Sequence, residues 1–122
     1  MDDPGERDGR AERGEATRAA LVRAGRELFA ERGYAAVGTN ELVDRAGVTR
    51  GAMYHHFPGK KDLFRAVYEH TEQEVVDMTA ARMQATDDPW EFLVAGMRSF
   101  FDACTDPELR QIGLVDGPAV LG

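Results

Sequence analysis

Residues 39–61, TNELVDRAGVTRGAMYHHFPGKK, read as two short helices around a tight turn, and the rest of the chain takes its meaning from them. The first helix opens at Thr39, whose hydroxyl oxygen suits an N-cap, with Glu41 in the positive first turn. Leu42, Val43 and Ala46 mark its inward side. Gly47 stands where the chain must reverse within a few residues, and glycine takes a positive φ there at little cost. Thr49 can cap the second helix, which runs from Arg50 to His56. At 1.5 Å of rise per residue it is about 10 Å long, short enough to enter a major groove about 12 Å wide. Met53 and Phe57 anchor its inner side, while Arg50, Gly51, Ala52, Tyr54, His55 and His56 are left to face outward or sideways. Such a mixture of donors and small residues suits base edges and phosphates.

A helical hairpin with a central glycine is common in proteins that bind no nucleic acid, so that outline alone carries little. The full run carries far more. Arg45-Ala46-Gly47-Val48-Thr49 followed by Ala52-Met53-Tyr54-His55-His56-Phe57 resembles the N-terminal domain of the TetR family of transcriptional regulators. Pro58-Gly59-Lys60 stands where that family has a polar linker and a lysine opening a long helix, with Gly59 where serine or asparagine is commoner. Leu63, Phe64, Ala66 and Val67 continue the pattern, and upstream Leu28-Phe29-Ala30-Glu31-Arg32-Gly33-Tyr34 is similar to the end of the family's first helix. The likeness covers about residues 18 to 68.

The resemblance implies roles residue by residue. Thr39, Tyr54, His56 and Lys60 fall where family members hold DNA phosphates, and Asn40, Arg50, Gly51, Ala52 and His55 fall where they meet bases. Thr49, at the cap, joins the same DNA-facing set. The chemistry agrees independently: Arg50 can pair bidentately with guanine, Asn40 with adenine, Ala52 offers a methyl to thymine, and Gly51 lets backbone come close. Lys60 at a helix start is electrostatically awkward unless an anion is near, and a phosphate is such an anion. The adjacent His55 and His56 cannot share one helical face, so they make a poor metal pair, and neither a metal nor a cofactor is expected.

Outward from this segment, residues 1–14 are rich in Gly, Asp, Glu and Arg, with almost nothing apolar, and are expected to form a disordered arm. Arg10, Arg13 and Arg18 could brush DNA from it, against a solvated tail as the simpler account. The first helix is expected from Glu15 to Arg32, with Leu21, Ala24, Gly25, Leu28 and Phe29 inward and Gly33 as its stop, and residues 15–59 form the helix-turn-helix domain. From Lys60 to about Ala85 no Pro or Gly interrupts, so one long connecting helix follows, with Phe64, Val67, Thr71, Val75 and Met78 along its stripe. Asp88-Pro89 with Glu91 reads as a capping box opening another helix whose stripe is Trp90, Leu93, Val94, Met97, Phe101 and Cys104. Asp106-Pro107-Glu108 repeats the device, and Asp116-Gly117-Pro118 looks like one more helix start.

The expected architecture is all-α: a three-helix, homeodomain-like helix-turn-helix domain, the connecting helix, and a partial helical regulatory domain over residues 60–122. TetR-like regulators continue through several more helices, which complete a ligand pocket and a dimerisation face, and neither is complete in these 122 residues. The resemblance thus implies double-stranded DNA with a palindromic operator, a small-molecule effector and a homodimer as partners, the last in doubt at this length. Trp90, Met97 and Phe101 read equally as helix packing or as the wall of an effector cavity.

The net charge of −7 is unevenly spread: residues 1–37 carry −1, residues 38–61 carry +2, and residues 62–122 carry −8. The segment proposed to meet DNA is the one that is net positive. No apolar run approaches the ~20 residues that span a bilayer, and the acidic N-terminus is unlike a signal peptide, which points to the cytoplasm. Cys104 stands alone on an apolar stripe, far in sequence from His55, His56 and His70, with no nucleophile motif or phosphate loop, so no catalytic residue is assigned and an enzyme is not expected. The expected function is a sequence-specific, ligand-released repressor of the TetR type. The alternative is a helical protein-interaction module, or an inactive truncated regulator, that does not bind DNA.

Overall fold

The computed structural model describes the backbone from Pro4 to Gly122 and side chains from Gly9 onward. Among these residues the chain is helical throughout, with no strand: α1 (Pro4–Arg32), a 3-10 turn (Tyr34–Ala36), α2 (Thr39–Ala46), α3 (Arg50–His56), α4 (Lys60–Gln84), α5 (Pro89–Thr105), α6 (Pro107–Leu109), a π-helical stretch (Arg110–Asp116) and α7 (Gly117–Leu121).

The start of α1 corrects the expectation of a disordered arm over residues 1–14. The first three residues lie outside the described ones, and from Pro4 the backbone is helical. Proline suits a first helical position, and Glu, Arg and Ala propagate a helix well. The costly step of helix formation is nucleation, and the packed segment from Leu21 to Phe29 already supplies a nucleus. The glycines at 5, 9 and 14, each unfavourable by about 1 kcal/mol, are insufficient to stop the propagation.

The core of the first half is closed. Leu21, Leu28 and Phe29 of α1, Leu42 of α2, Met53 of α3, and Leu63, Phe64 and Val67 of α4 are essentially without solvent contact. Phe29, Tyr34 and Phe64 form an aromatic triangle with ring centroids 5.1 to 5.6 Å apart. Gly25 allows α1 and α4 to approach, because a Cβ there would lie 2.9 Å from Val67 Cγ2. Gly33, at φ 82°, ends α1 and turns Tyr34 back onto the core, and Gly47, at φ 70°, makes the reversal between α2 and α3. On the surface, Arg32 to Glu41 and Arg45 to Glu27, the latter at 3.0 Å, tie α1 to α2.

The second half is built differently. α5 lies along α4, with Met83 against Gly96 and Arg82 donating to Ser99 Oγ and Asp102 at 3.2 and 2.7 Å. Asp88 caps α5 by accepting from the N–H groups of Trp90 and Glu91. The expected reciprocal bond from Glu91 is replaced by a relay: Glu91 accepts from the Thr86 hydroxyl, whose oxygen accepts from Asp88 N–H. Asp106 caps α6 as expected. Asp116 does not cap α7; its carboxylate turns away, accepting from Tyr34 N–H at 2.8 Å and Gln111 Nε2 at 3.1 Å. Ile112 is fully buried and joins the main core, so the chain after α5 folds back onto α1 and α4.

A charged node braces the same junction. Arg26 of α1 donates to Glu74 of α4, once at 3.2 Å and once more closely, and to Glu108 of α6. The hydrogen bond to Glu74 is the largest influence raising the guanidinium pKa, against partial burial, and Arg26 holds the Glu74 carboxyl below its ordinary range.

Candidate nucleic-acid interface

α2 and α3 share one apolar underside and one polar outer side. Met53 and Phe57 plug α3 into the core, and Leu42 and Val43 do the same for α2. Thr49 caps α3 as the sequence suggests, its hydroxyl oxygen accepting from Ala52 N–H at 3.0 Å. Thr39 does not cap α2; it is the first helical residue, the cap position belongs to Gly38, and no side chain caps that helix. The extended backbone of Gly38 reaches the cap geometry by itself, which moves the start back by one residue. The first N–H groups of α2 are therefore left without a side-chain acceptor.

With the underside anchored, Asn40, Thr49, Arg50, Gly51, Tyr54 and His55 are exposed, and Thr39 and Ala52 are half-buried beside them. Arg50 Nη2 donates to the Tyr54 hydroxyl at 3.4 Å, and its guanidinium carbon lies 5.9 Å from the Tyr54 ring centre. That hydrogen bond, reinforced by the positive charge of Arg50 and by Thr39, lowers the Tyr54 pKa from its usual value. Arg50 and Tyr54 thus form one polar unit on the outer side of α3.

Two residues of the proposed DNA-facing set point elsewhere. His56 is half-buried between α3 and α1, its Cε1 3.8 Å from where a Cβ on Gly14 would stand. Lys60 turns inward and donates to the carbonyls of Tyr34 and Val37 at 3.0 and 3.1 Å, with its ammonium 4.1 Å from the Tyr34 ring centre. The negative partner that the sequence supplied as a phosphate is met by two carbonyl dipoles and an aromatic face. An ammonium has three donors, so one remains. Arg18, named from the sequence as one of three arginines that could brush DNA, stacks its guanidinium on Phe57 at 5.2 Å, and Asp116, read as part of a helix start, holds Tyr34 N–H; neither contact was expected. A basic residue four before Val22 on an otherwise inward stripe was a signal for the first; nothing local signals the second.

Of the three effector candidates, Trp90 lines an open groove of about 650 Å³ between α4 and α5, together with Arg82, Arg98 and Asp102. Met97 and Phe101 line neither this groove nor a smaller cavity of about 170 Å³ bordered by Val75, Phe100, Cys104, Leu109 and Leu114. Among the described residues no group of three or more His, Cys, Asp or Glu side chains is placed to hold a metal, and no helix is long and apolar enough to cross a membrane.

Residues 21–67 match the family described as Bacterial regulatory proteins, tetR family, and residues 90–122 match a Tetracyclin repressor-like C-terminal domain. The uncharacterized HTH-type transcriptional regulator TtgW of Pseudomonas putida is 30% identical over 95 residues, covering 78% of this chain and 68% of TtgW. The chain belongs to the TetR family of transcriptional regulators. Within that family, the HTH-type transcriptional activator FasR of Mycolicibacterium smegmatis is 36% identical over 85 residues, 70% of this chain and 39% of FasR. A crystal structure of a TetR-family transcriptional regulator from Pectobacterium atrosepticum superposes with a TM-score of 0.81 at 39% identity, covering 91% of this chain and 57% of that one. The chain spans about half the length of most of the relatives it matches.

Proposed function

We propose that this chain is the DNA-reading part of a bacterial transcriptional regulator, acting in the cytoplasm as a homodimer on a palindromic operator. The observation that carries the reading is the polar outer side of α2 and α3, held rigidly by the buried Met53, Phe57, Leu42 and Val43. In this reading Arg50 pairs with guanine, Asn40 with adenine, Ala52 packs on a thymine methyl, and Gly51 and His55 complete the base contacts. Thr39, Thr49, Tyr54 and the uncapped N–H groups of α2 hold phosphates. Lys60 adds its third donor, and His56 acts mainly by setting α3 against α1. Residues 15–59 are the reading domain, and residues 60–122 begin the regulatory one.

The regulation we propose is repression released by a small apolar effector, seated beside α4 and α5. The smaller cavity bordered by Val75, Phe100, Cys104, Leu109 and Leu114 supports it. The relative FasR is named an activator, so the sign of regulation belongs to the test. A second reading, a helical protein-interaction module, is favoured by one observation: Trp90, Phe100 and Phe101 are 71%, 64% and 59% exposed.

A selection from random duplex DNA, at low and moderate salt, with the chain and its Arg50→Ala variant, separates the two. Enrichment of a palindrome that the variant loses supports the dimeric reader, and enrichment of a half-site supports a monomeric one. No enrichment at low salt leaves the interaction module.

A further inference from the structure

α5 turns only one side to α4. On that side Ser99 is buried, its hydroxyl accepting from Arg82, and Gly96 lies against Met83. At 3.6 residues per turn, the side facing away from α4 is then Trp90, Val94, Met97, Phe101 and Cys104. These positions alternate four and three residues apart, which is the seam of a coiled coil, and none of them is charged. Trp90, Met97 and Phe101 are each more than half exposed, and Met97 and Phe101 border neither cavity beside α5.

The two rims of the seam differ. Along one stand Leu93 and Phe100, also more than half exposed, and along the other Glu91 and Arg98. Neither of these two charges forms an ion pair among the described residues, whereas Asp102 beside them is held by Arg82.

We infer that this face docks a second copy of the chain, the two α5 helices pairing antiparallel about a two-fold axis. The pairing deepens the homodimeric reading above by giving it an interface, and it rests on that reading for its role on DNA. The seam allows several registers, and charge selects one. With Val94 of one copy against Met97 of the other, Trp90 meets Phe101, Leu93 meets Phe100, and Glu91 of each copy meets Arg98 of the other. Sliding by one heptad in either direction sets Arg98 against Arg98 or Glu91 against Glu91, and a parallel pair sets Arg98 against Leu93. Like charges face to face disfavour the shifted registers. Five large apolar side chains, each about half open, remove roughly 500 Å² per copy from water, or about 1,000 Å² in all, the lower bound of a specific interface. A dimer of about micromolar strength follows. Below that concentration the chain is the monomer, with its α5 face in solvent.

Sedimentation equilibrium of the full chain without DNA, from well below to well above the micromolar range, tests the pairing, with circular dichroism to check each variant's helices. Arg98→Glu and Glu91→Arg, taken singly, set like charges together twice and are each expected to weaken dimerisation about 10-fold, while the double variant returns toward the parent. Simple helix damage at Glu91, which also accepts from the Thr86 hydroxyl, would not be repaired by a second substitution seven residues on. Arg50→Ala is expected to sediment as the parent does, so failure of DNA reading and failure of the interface are seen separately. A parent that is monomeric throughout overturns the pairing and leaves the face to a small apolar ligand or to another protein. A dimer indifferent to the single variants, or weakened by them and not restored by the double one, overturns this interface while the reading by α3 stands.

Discussion

The two halves of the molecule handle apolar side chains in opposite ways. In the unit made by α1 to α3 and the first turns of α4, Phe29, Phe64, Leu28 and Met53 are wholly enclosed. Along α5, Trp90, Phe92, Leu93, Met97, Phe100 and Phe101 stay largely in contact with solvent, and Ser99 is its one fully buried residue. The first half is a finished core that can hold a reading surface still; the second has helices and caps but one closed side only. The proposed reading surface, with Arg50 and Tyr54 in a fixed geometry, needs the first kind of support. Helices that change their packing around a ligand are drawn from the second kind, where few contacts oppose the change.

The sharpest way to break this contrast is a matched pair of truncations. Phe29→Ala should cost about 3–5 kcal/mol in unfolding free energy, while Phe101→Ala should stay within about 0.5 kcal/mol. Chemical denaturation of both variants measures the difference, and equal losses would mean that α5 is as well packed as α1.

At the seam between the halves, Asp116→Ala removes the acceptor of Tyr34 N–H and Gln111 and is expected to cost about 1–2 kcal/mol. Amide exchange at Tyr34 should rise with it; unchanged protection there would show that the two halves are not joined at this point. Gly47→Ala tests the turn within the reading unit. A Cβ at φ 70° is strained by about 1–2 kcal/mol, and thermal denaturation should report a loss of that order.

A smaller effect depends on pH. Arg26 lowers the folded-state pKa of Glu74, so the stabilisation is present above the ordinary glutamate range and is lost as pH falls through the lowered folded value. Glu74 is partly exposed, with 38% of its side chain open, and screening limits the effect to about 0.5 kcal/mol. The melting temperature of Glu74→Gln should therefore lie slightly below that of the parent at neutral pH and converge with it in acid. Parallel curves would remove the node from the account.

How far the sequence could be read follows the range of the interactions. Gly47, Thr49 and the buried spacing of Met53 and Phe57 act within one or two turns, and each is visible in the order of residues. Caps at Asp88 and Asp106 are equally local. The inward turn of Lys60 was not legible because its acceptors, Tyr34 and Val37, lie 26 and 23 residues away and the sequence does not show them. Asp116 is 82 residues from Tyr34, beyond any pattern in the chain. The helical form of residues 4–14 was hidden for another reason: their composition is polar and glycine-rich, and their helicity depends on a nucleus supplied by Leu21 to Phe29. On the proposed reading surface, the residues exposed on α2 and α3 were legible as soon as the buried ones were, since the helix period sets both.

The most direct test of the central claim is a binding titration of the chain and Arg50→Ala on the selected duplex and on a scrambled duplex of the same composition. The account predicts a loss of about 5- to 150-fold on the selected duplex, the equivalent of about 1–3 kcal/mol for one bidentate base contact, with little change on the scrambled one. Equal losses on both duplexes would reduce Arg50 to a phosphate contact, and equal affinity of parent and variant on both would contradict the assignment of α3 as the helix that reads DNA.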